Sequence, residues 1–333
     1  VRGSMGRVVL EDGDRMPGAR WFPEASLNFA ENLLRSRDDT DAMVFWGEDR
    51  VKNRLSHGDL YRQVAHFAAA LQEQGVVAGD RVAAYMPNMP DTIVVMLAAA
   101  SLGAIFSSAS PDFGVQGVLD RFGQIEPKVL VAVDGYYYNG KIIDCLDRLA
   151  AITDGLPSVK RVVVVPYVHA HHDISHVHHA RMLADFVQPF HNETEIPFVR
   201  LPFAHPLYIM YSSGTTGVPK CIVHCAGGVL LQHLKELRLH GDVKPGDKLF
   251  YFTTCGWMMW NWLASGLATG ATLLLYDGSP MIGDGAILFD YAHAEGTTHF
   301  GTSAKFIDGI AKAGLRPRAT HDLSALRTVF STG

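Results

Sequence analysis

Leu207-Tyr-Ile-Met-Tyr-Ser-Ser-Gly-Thr-Thr-Gly-Val-Pro-Lys-Cys-Ile-Val-His224 sets four Ser/Thr hydroxyls, two glycines and a lysine between two short β-prone runs. Gly214 and Gly217 let the backbone approach an anion closely and turn its N–H groups toward it. Ser212, Ser213, Thr215 and Thr216 add neutral donors, and Lys220 adds a mobile point charge. The set suits a polyphosphate. A Walker A loop needs glycine directly before the lysine and a hydroxyl directly after it. Those places hold Pro219 and Cys221 here. The loop is therefore expected to join two strands and to hold phosphate without a helix dipole. A surface turn is the ordinary alternative for such a stretch, and the β-prone runs and the Pro-Lys ending disfavour it.

Upstream, a βα rhythm begins at Ser56. An amphipathic helix with Leu60, Val64, Phe67, Ala68 and Leu71 precedes a strand at 81–85. Helices are then expected at 91–102, 115–125 and 141–152, and strands at 104–107, 128–133 and 159–165. Downstream, strands at 249–253, 271–276, 298–301 and 325–330 alternate with helices at 257–267, 288–293 and 305–313. Alternation of this kind implies parallel sheets covered on both faces. The expected fold is α/β, with two doubly wound lobes: 5–165, and 206–333 with the phosphate loop. A polar segment at 166–205 with a dense histidine run separates them. Val1-Arg-Gly-Ser4 before Met5 looks like the remnant of an expression tag.

Composition narrows the class. The 333 residues are 48% hydrophobic and 19% charged, enough to bury a large core. A formal charge of -5 with no Lys/Arg block offers no surface for nucleic acid, so polyanion binding must be local. Four cysteines, with no signal peptide and no long apolar span, point to reduced thiols in the cytoplasm.

Ser212-Ser-Gly-Thr-Thr-Gly-Val-Pro-Lys220 resembles the phosphate-binding signature of the adenylate-forming superfamily, which includes acyl-CoA synthetases, adenylation domains and luciferases. Trp21-Phe-Pro-Glu-Ala-Ser-Leu-Asn-Phe-Ala-Glu-Asn-Leu33-Leu34 is similar to the entry segment of the short-chain acyl-CoA synthetases. Gly256-Trp-Met-Met-Trp-Asn-Trp262 and Phe300-Gly-Thr-Ser-Ala-Lys-Phe306 resemble its acetoacetate-activating branch most. The resemblance runs from Arg20 onward and implies a large amino-terminal domain of an adenylate-forming enzyme. The implied chemistry is attack of a small carboxylate on ATP to give acyl-AMP and pyrophosphate, then capture by CoA. Acetoacetate is the implied acid. An acetate- or propionate-type synthetase and a catalytically silent nucleotide-binding module are the alternatives.

Carried over position by position, the resemblance puts ATP at Ser212, Ser213, Gly214, Thr215, Thr216, Gly217 and Lys220, with Thr302 and Gly333 bordering the adenylate. Thr216 and Lys220 are the implied catalytic pair. Trp257, Met258 and Met259 would bound the acyl group, flexible thioethers suiting an acid longer than acetate. Phe113, Gly114, Tyr138 and Lys141 match the segments that meet the nucleotide end of CoA. Arginines are frequent there in the family, and only Lys141 retains a cation; a surface turn before a helix accounts for the same residues. The family's acidic Mg²⁺ ligand, ribose-binding aspartate, hinge and adenylation lysine would follow Gly333, so no metal ligand is expected within this chain.

Other clusters read more plainly. Six of the 16 histidines lie in 169–179, a density that could bind a transition metal, against the simpler expectation of a solvated insertion between lobes. Zn²⁺ titration separates the two. Cys221 and Cys225 would lie about 13 Å apart on a strand at roughly 3.3 Å per residue, too far for one zinc. Trp260 and Trp262 read equally well as core aromatics. The strand 325–330 running into Ser331-Thr-Gly333 leads us to expect an amino-terminal part of a longer protein, and this chain alone is predicted to turn over no substrate. Acyl-CoA formation by the isolated chain would refute that.

Overall fold

The computed structural model describes residues 1–333 apart from 170–172, 214–216 and 333. Fifteen strands matter for the site: β1 Asp41–Gly47, β2 Val51–Ser56, β3 Arg81–Tyr85, β4 Ile105–Ala109, β5 Val129–Val133, β6 Gly135–Tyr138, β7 Lys141–Asp144, β8 Arg161–Val165, β9 Ala180–Met182, β10 Pro206–Tyr211, β11 Cys221–Cys225, β12 Lys248–Tyr251, β13 Thr272–Asp277, β14 His299–Ser303 and β15 Thr328–Thr332. The helices around them are α1 Phe29–Leu33, α2 His57–Glu73, α3 Pro90–Ser101, α4 Val115–Ile125, α5 Leu146–Asp154, α6 Leu183–Val187, α7 Ala226–Lys235, α8 Met258–Ala264, α9 Ile287–Glu295 and α10 Ala304–Lys312.

Two sheets result. One runs β9-β8-β5-β3-β4-β10-β11 and the other β15-β14-β12-β13-β1-β2. Each is parallel except for one antiparallel edge pair, β10 with β11 and β1 with β2. Alternate residues of a strand face opposite sides, and the packing follows that period. Val82, Ala84, Val131 and Val163 of the first sheet share a buried cluster with Met43, Phe45, Leu273 and Leu275 of the second, around α2 and α3. Ala83, Tyr85, Leu130 and Val162 face outward onto α4 and α5. Val44, Trp46, Leu274 and Tyr276 face outward onto α9, with Phe306 of α10 beside them. The architecture is five layers, αβαβα.

The expected division into consecutive lobes, 5–165 and 206–333, does not describe sheet membership. β10 leaves the second half of the chain to pair with β4, Tyr208 opposite Phe106, while β1 and β2 leave the first half to join β13, Leu273 opposite Met43. The cause is visible in β1: Ala42 to Trp46 are all buried, so the strand needs cover on both faces and a partner on both edges.

A second departure concerns 141–152, expected as one helix. Residues 135–144 form the β6–β7 hairpin, and the helix starts only at Leu146. The turn is Asn139-Gly140, both at positive φ (51° and 76°), the conformation a tight two-residue hairpin needs.

Asn28 shows how buried polar groups join these parts. It caps α1, its Oδ1 accepting from the Glu31 amide at 3.1 Å. Its Nδ2 lies 3.0 Å from the carbonyls of Ala100 and Ser101 and 2.8 Å from that of Val199. Ala100 and Ser101 end α3, where carbonyls lack intrahelical donors. Asn28→Ala should therefore lower unfolding free energy by about 1–3 kcal/mol. Asn28→Asp, isosteric but facing three carbonyl oxygens without a donor, should cost more. Denaturant unfolding checks both, and equal stability of the Asp variant and the parent would contradict this role.

Candidate active site

Carboxyl ends of strands from both sheets open onto one cleft of about 710 Å³. Its walls are the segments that follow those strands: 87–88 after β3, 110–112 after β4, 252–254 after β12, 277–281 from the end of β13, and Ser303 at the end of β14. Tyr136, Tyr138 and Asn139 of the β6–β7 hairpin and Lys305 and Phe306 of α10 complete it. Open parallel sheets bind ligands in such crevices, beyond their carboxyl ends.

Two buried polar residues hold the walls in place. Glu48, at φ 48° just past β1, is fully buried, and its carboxylate accepts from the amides of Asn139 (2.6 Å), Gly140 (2.9 Å) and Ser279 (3.1 Å). One side chain thus ties the hairpin tip to the 277–281 turn. Asn88 is the other: its Oδ1 accepts from Trp260 Nε1 at 3.0 Å and its Nδ2 reaches the Tyr276 carbonyl at 3.4 Å. Asn88 therefore links α8 to β13 across the cleft floor.

Asp277 is the most perturbed carboxyl on the cleft. It keeps some solvent access at the lining, yet the packing around it raises its pKa to about 7, first through burial and further through the negative charges of Glu48 and Asp112. The Tyr167 hydroxyl, donating to Oδ2 at 3.0 Å, opposes that rise.

The phosphate loop does join two strands, β10 and β11. Ser212 and Lys220 close its base: the Ser212 amide donates to the Lys220 carbonyl at 3.0 Å, and the Lys220 amide donates to Ser212 Oγ at 2.9 Å. Gln124 of α4 braces the same end by donating to the Pro219 carbonyl at 2.8 Å. Gly217 has φ 138°, which side chains rarely adopt, and open space around it, so the backbone alone demands glycine there. Ser213, Gly217 and the Lys220 side chain are exposed. Gly214, Thr215, Thr216 and Gly333 lie outside the described residues. At the foot of the loop, Ser107 Oγ lies 3.0 Å from the Tyr211 hydroxyl. β4 therefore connects the loop to the cleft wall at 110–112.

The remaining sequence-derived positions fall in three places. Tyr138, half-exposed on the cleft, sits opposite Lys141 in the hairpin register. Phe113 and Gly114 lie just past the 110–112 wall, with the Arg121 guanidinium 4.5 Å from the Phe113 ring centre. Thr302 is buried on β14 beside Ser303, and its hydroxyl has no hydrogen-bond partner among the described residues. Trp257, Met258 and Met259 stand at the start of α8, Trp257 exposed and both methionines packed on the inner core; none lines the 710 Å³ cleft. Glu48, Asn88, Asp277 and Lys305 were not singled out from sequence. Their signal was positional, since all four closely follow or end a strand with a parallel partner or open the helix after one.

Among the described residues no group of three or more His, Cys, Asp or Glu could hold a metal ion. Three of the described histidines of the run lie along β7 and α5: His169 faces Asp144 at 4.0 Å, His176 faces Asp147 at 3.6 Å and His178 faces Asp154 at 3.6 Å. His171 and His172 lie outside the described residues. All four cysteines are free, and no described helix is long and apolar enough to cross a membrane.

Comparison with known proteins agrees with this geometry. A family model described as AMP-binding enzyme matches residues 29–333. The chain is 59% identical over 334 residues to the acetoacetyl-coenzyme A synthetase of Rhizobium meliloti (strain 1021), covering 100% of this chain and 51% of that protein. It is 47% identical over 321 residues to the acetoacetyl-CoA synthetase of Danio rerio, covering 94% of this chain and 48% of that one. The solved acetoacetyl-CoA synthetase from Streptomyces lividans superposes with a TM-score of 0.92 at 43% identity, covering 100% of this chain and 50% of that chain. The chain spans about half the length of the relatives it matches.

The Asp277 shift carries a pH signature. Its pKa of about 7 in the fold lies above the ordinary 3.8, so the native state binds the proton more tightly than the unfolded chain does. The stability it contributes is full below about pH 4 and is lost as pH rises through about 7. Asp277→Asn should therefore gain stability relative to the parent between about pH 4 and 7, with a constant difference above that. Denaturant unfolding across this range measures it; a pH-independent difference would contradict the shift.

Proposed function

The chain belongs to the AMP-binding enzyme family, and we propose that the whole protein is an ATP-dependent acid–CoA ligase, AMP-forming, acting on acetoacetate in the cytoplasm. The observation that carries this is the strand–loop–strand arrangement of the Gly-, Ser- and Thr-rich loop, closed by Ser212 and Lys220 and connected through Ser107 of β4 to one wall of the cleft onto which both sheets direct their strand ends. The names of the full-length relatives support the choice of acid.

In this reading an acid carboxylate attacks the α-phosphate of ATP, forming acyl-AMP and releasing pyrophosphate. The CoA thiolate then attacks the acyl carbon and AMP departs. Adenylation replaces a poor leaving group with a good one. Ser212, Ser213 and Gly217, together with Gly214, Thr215 and Thr216, hold the β- and γ-phosphates in line, and the exposed Lys220 ammonium spreads the charge that develops on them. Thr302 and Gly333 border the adenylate, and the buried Thr302 hydroxyl is a donor without an acceptor among the described residues. Trp257, Met258 and Met259 bound the acyl group. Phe113, Gly114, Tyr138 and Lys141 receive the nucleotide end of CoA. Mg²⁺ enters as the companion of the ATP phosphates. Among the described residues no group of three or more His, Cys, Asp or Glu could hold it.

Pyrophosphate exchange by the whole protein, compared across acetoacetate, acetate and butyrate, tests the assignment. Exchange should be fastest with acetoacetate, and Lys220→Ala should lower it about 10²–10³-fold. Unchanged exchange in the variant would remove the loop from the phosphate site. Preference for acetate would move the protein to the acetate- or propionate-type synthetases.

A further inference from the structure

We propose that Asn261, assisted by Tyr208, reads the 3-oxo group of a short β-keto acid and so selects it over the corresponding simple fatty acid. The proposal rests on the acid-activating function above and deepens it. Between Gly256 and the paired strands β4 and β10 lies a second cavity of about 10 Å³, lined by Ser108, Tyr208, Met210, Gly256 and Asn261 among others. That is room for one water-sized group, such as a carbonyl oxygen.

The chemistry of its lining is unbalanced. The serine hydroxyls there are already committed: Ser107 Oγ donates to the Ile209 carbonyl at 2.9 Å and Ser108 Oγ to the Cys255 carbonyl at 2.6 Å. Asn261 is only 4% exposed, and its Nδ2 is directed at the Met210 thioether at 3.5 Å, a weak acceptor. Tyr208 is 1% exposed, and its hydroxyl has no partner among the described residues. Buried donors left without strong acceptors cost free energy. Asn261 and Tyr208, the residues that carry these donors, both line the small cavity, and a group that accepts and does not donate, which is what a ketone oxygen is, would satisfy them.

Position supports the same assignment. Asn261 follows Met258 by three residues, so it shares that residue's face of α8 one turn further in. The helix is held firmly there: Ser265 Oγ donates to the Asn261 carbonyl at 3.0 Å, His233 Nδ1 meets Ser265 Oγ at 2.7 Å, and Asn88 anchors Trp260. A chain with a methylene in place of the ketone would leave the donors unpaired, and sites built to hydrogen-bond a substrate group reject analogues that lack it.

The test compares kcat/KM for acetoacetate and butyrate in the whole protein, for the parent, Asn261→Leu and Tyr208→Phe. The acetoacetate-to-butyrate ratio should fall about 10²-fold in Asn261→Leu and about 10-fold in Tyr208→Phe, the loss falling on acetoacetate. Tyr208→Phe removes an unpartnered hydroxyl, so its melting temperature should equal or exceed the parent's, which keeps the test open if Asn261→Leu folds poorly. A parent that prefers acetoacetate, with ratios unchanged in both variants, would overturn the 3-oxo subsite alone. A parent that does not activate acetoacetate would overturn the function on which it rests.

Discussion

A parallel sheet cannot leave either face to water, and most of this architecture follows from that constraint. The protein has two such sheets and covers both inner faces with the same helices. α3 shows the consequence: from Thr92 to Ser101 it is buried on every side, and Pro90 starts it where a missing N–H does no harm. Because these helices serve both sheets, the strand ends of both meet at a single crevice. The cleft is a product of layer sharing before any particular residue is placed in it.

What turns the crevice into a defined site is a small number of buried polar side chains with fully used hydrogen-bonding capacity. Glu48 gathers amides from the hairpin tip and from the turn after β13. Asp134 does similar work at the end of β5, accepting from the amides of Tyr167, Val168 and His169. Buried carboxylates satisfied by several N–H groups are rigid, because breaking any one bond strands a charge or an amide. Against this background the unsatisfied groups stand out. Thr302, near the carboxyl end of β14, and Tyr208, within β10, carry buried hydroxyls without partners among the described residues.

Much of the fold was legible in local pattern. The helix at 115–125 and the strand 81–85 fall where periodicity puts them, and Leu60, Val64, Phe67, Ala68 and Leu71 are all buried along α2. The loop between β10 and β11 was legible from chemistry, through its glycines, hydroxyls and lysine. The β6–β7 hairpin was misread although Asn139-Gly140 announced it, because the apolar run after it carries a helical period from Leu146 onward. Glu48 was missed for a different reason: a glutamate after a strand looks like any surface turn until its three amide donors, from distant segments, are known.

The sequence by itself determined most of the alternating strands and helices, that the sheets are parallel, and that a loop rich in Gly, Ser, Thr and Lys joins two strands, since periodicity and residue chemistry act over a few neighbouring positions. Only the tertiary structure decided that β1 and β2 cross to the second sheet and β10 and β11 to the first, that Asp277 sits where its proton is held tightly, and that Asn261 and Tyr208 share a cavity. Strand pairing and burial depend on contacts between residues far apart in the chain, as with Leu273 and Met43, and local pattern carries no record of which buried strand finds which.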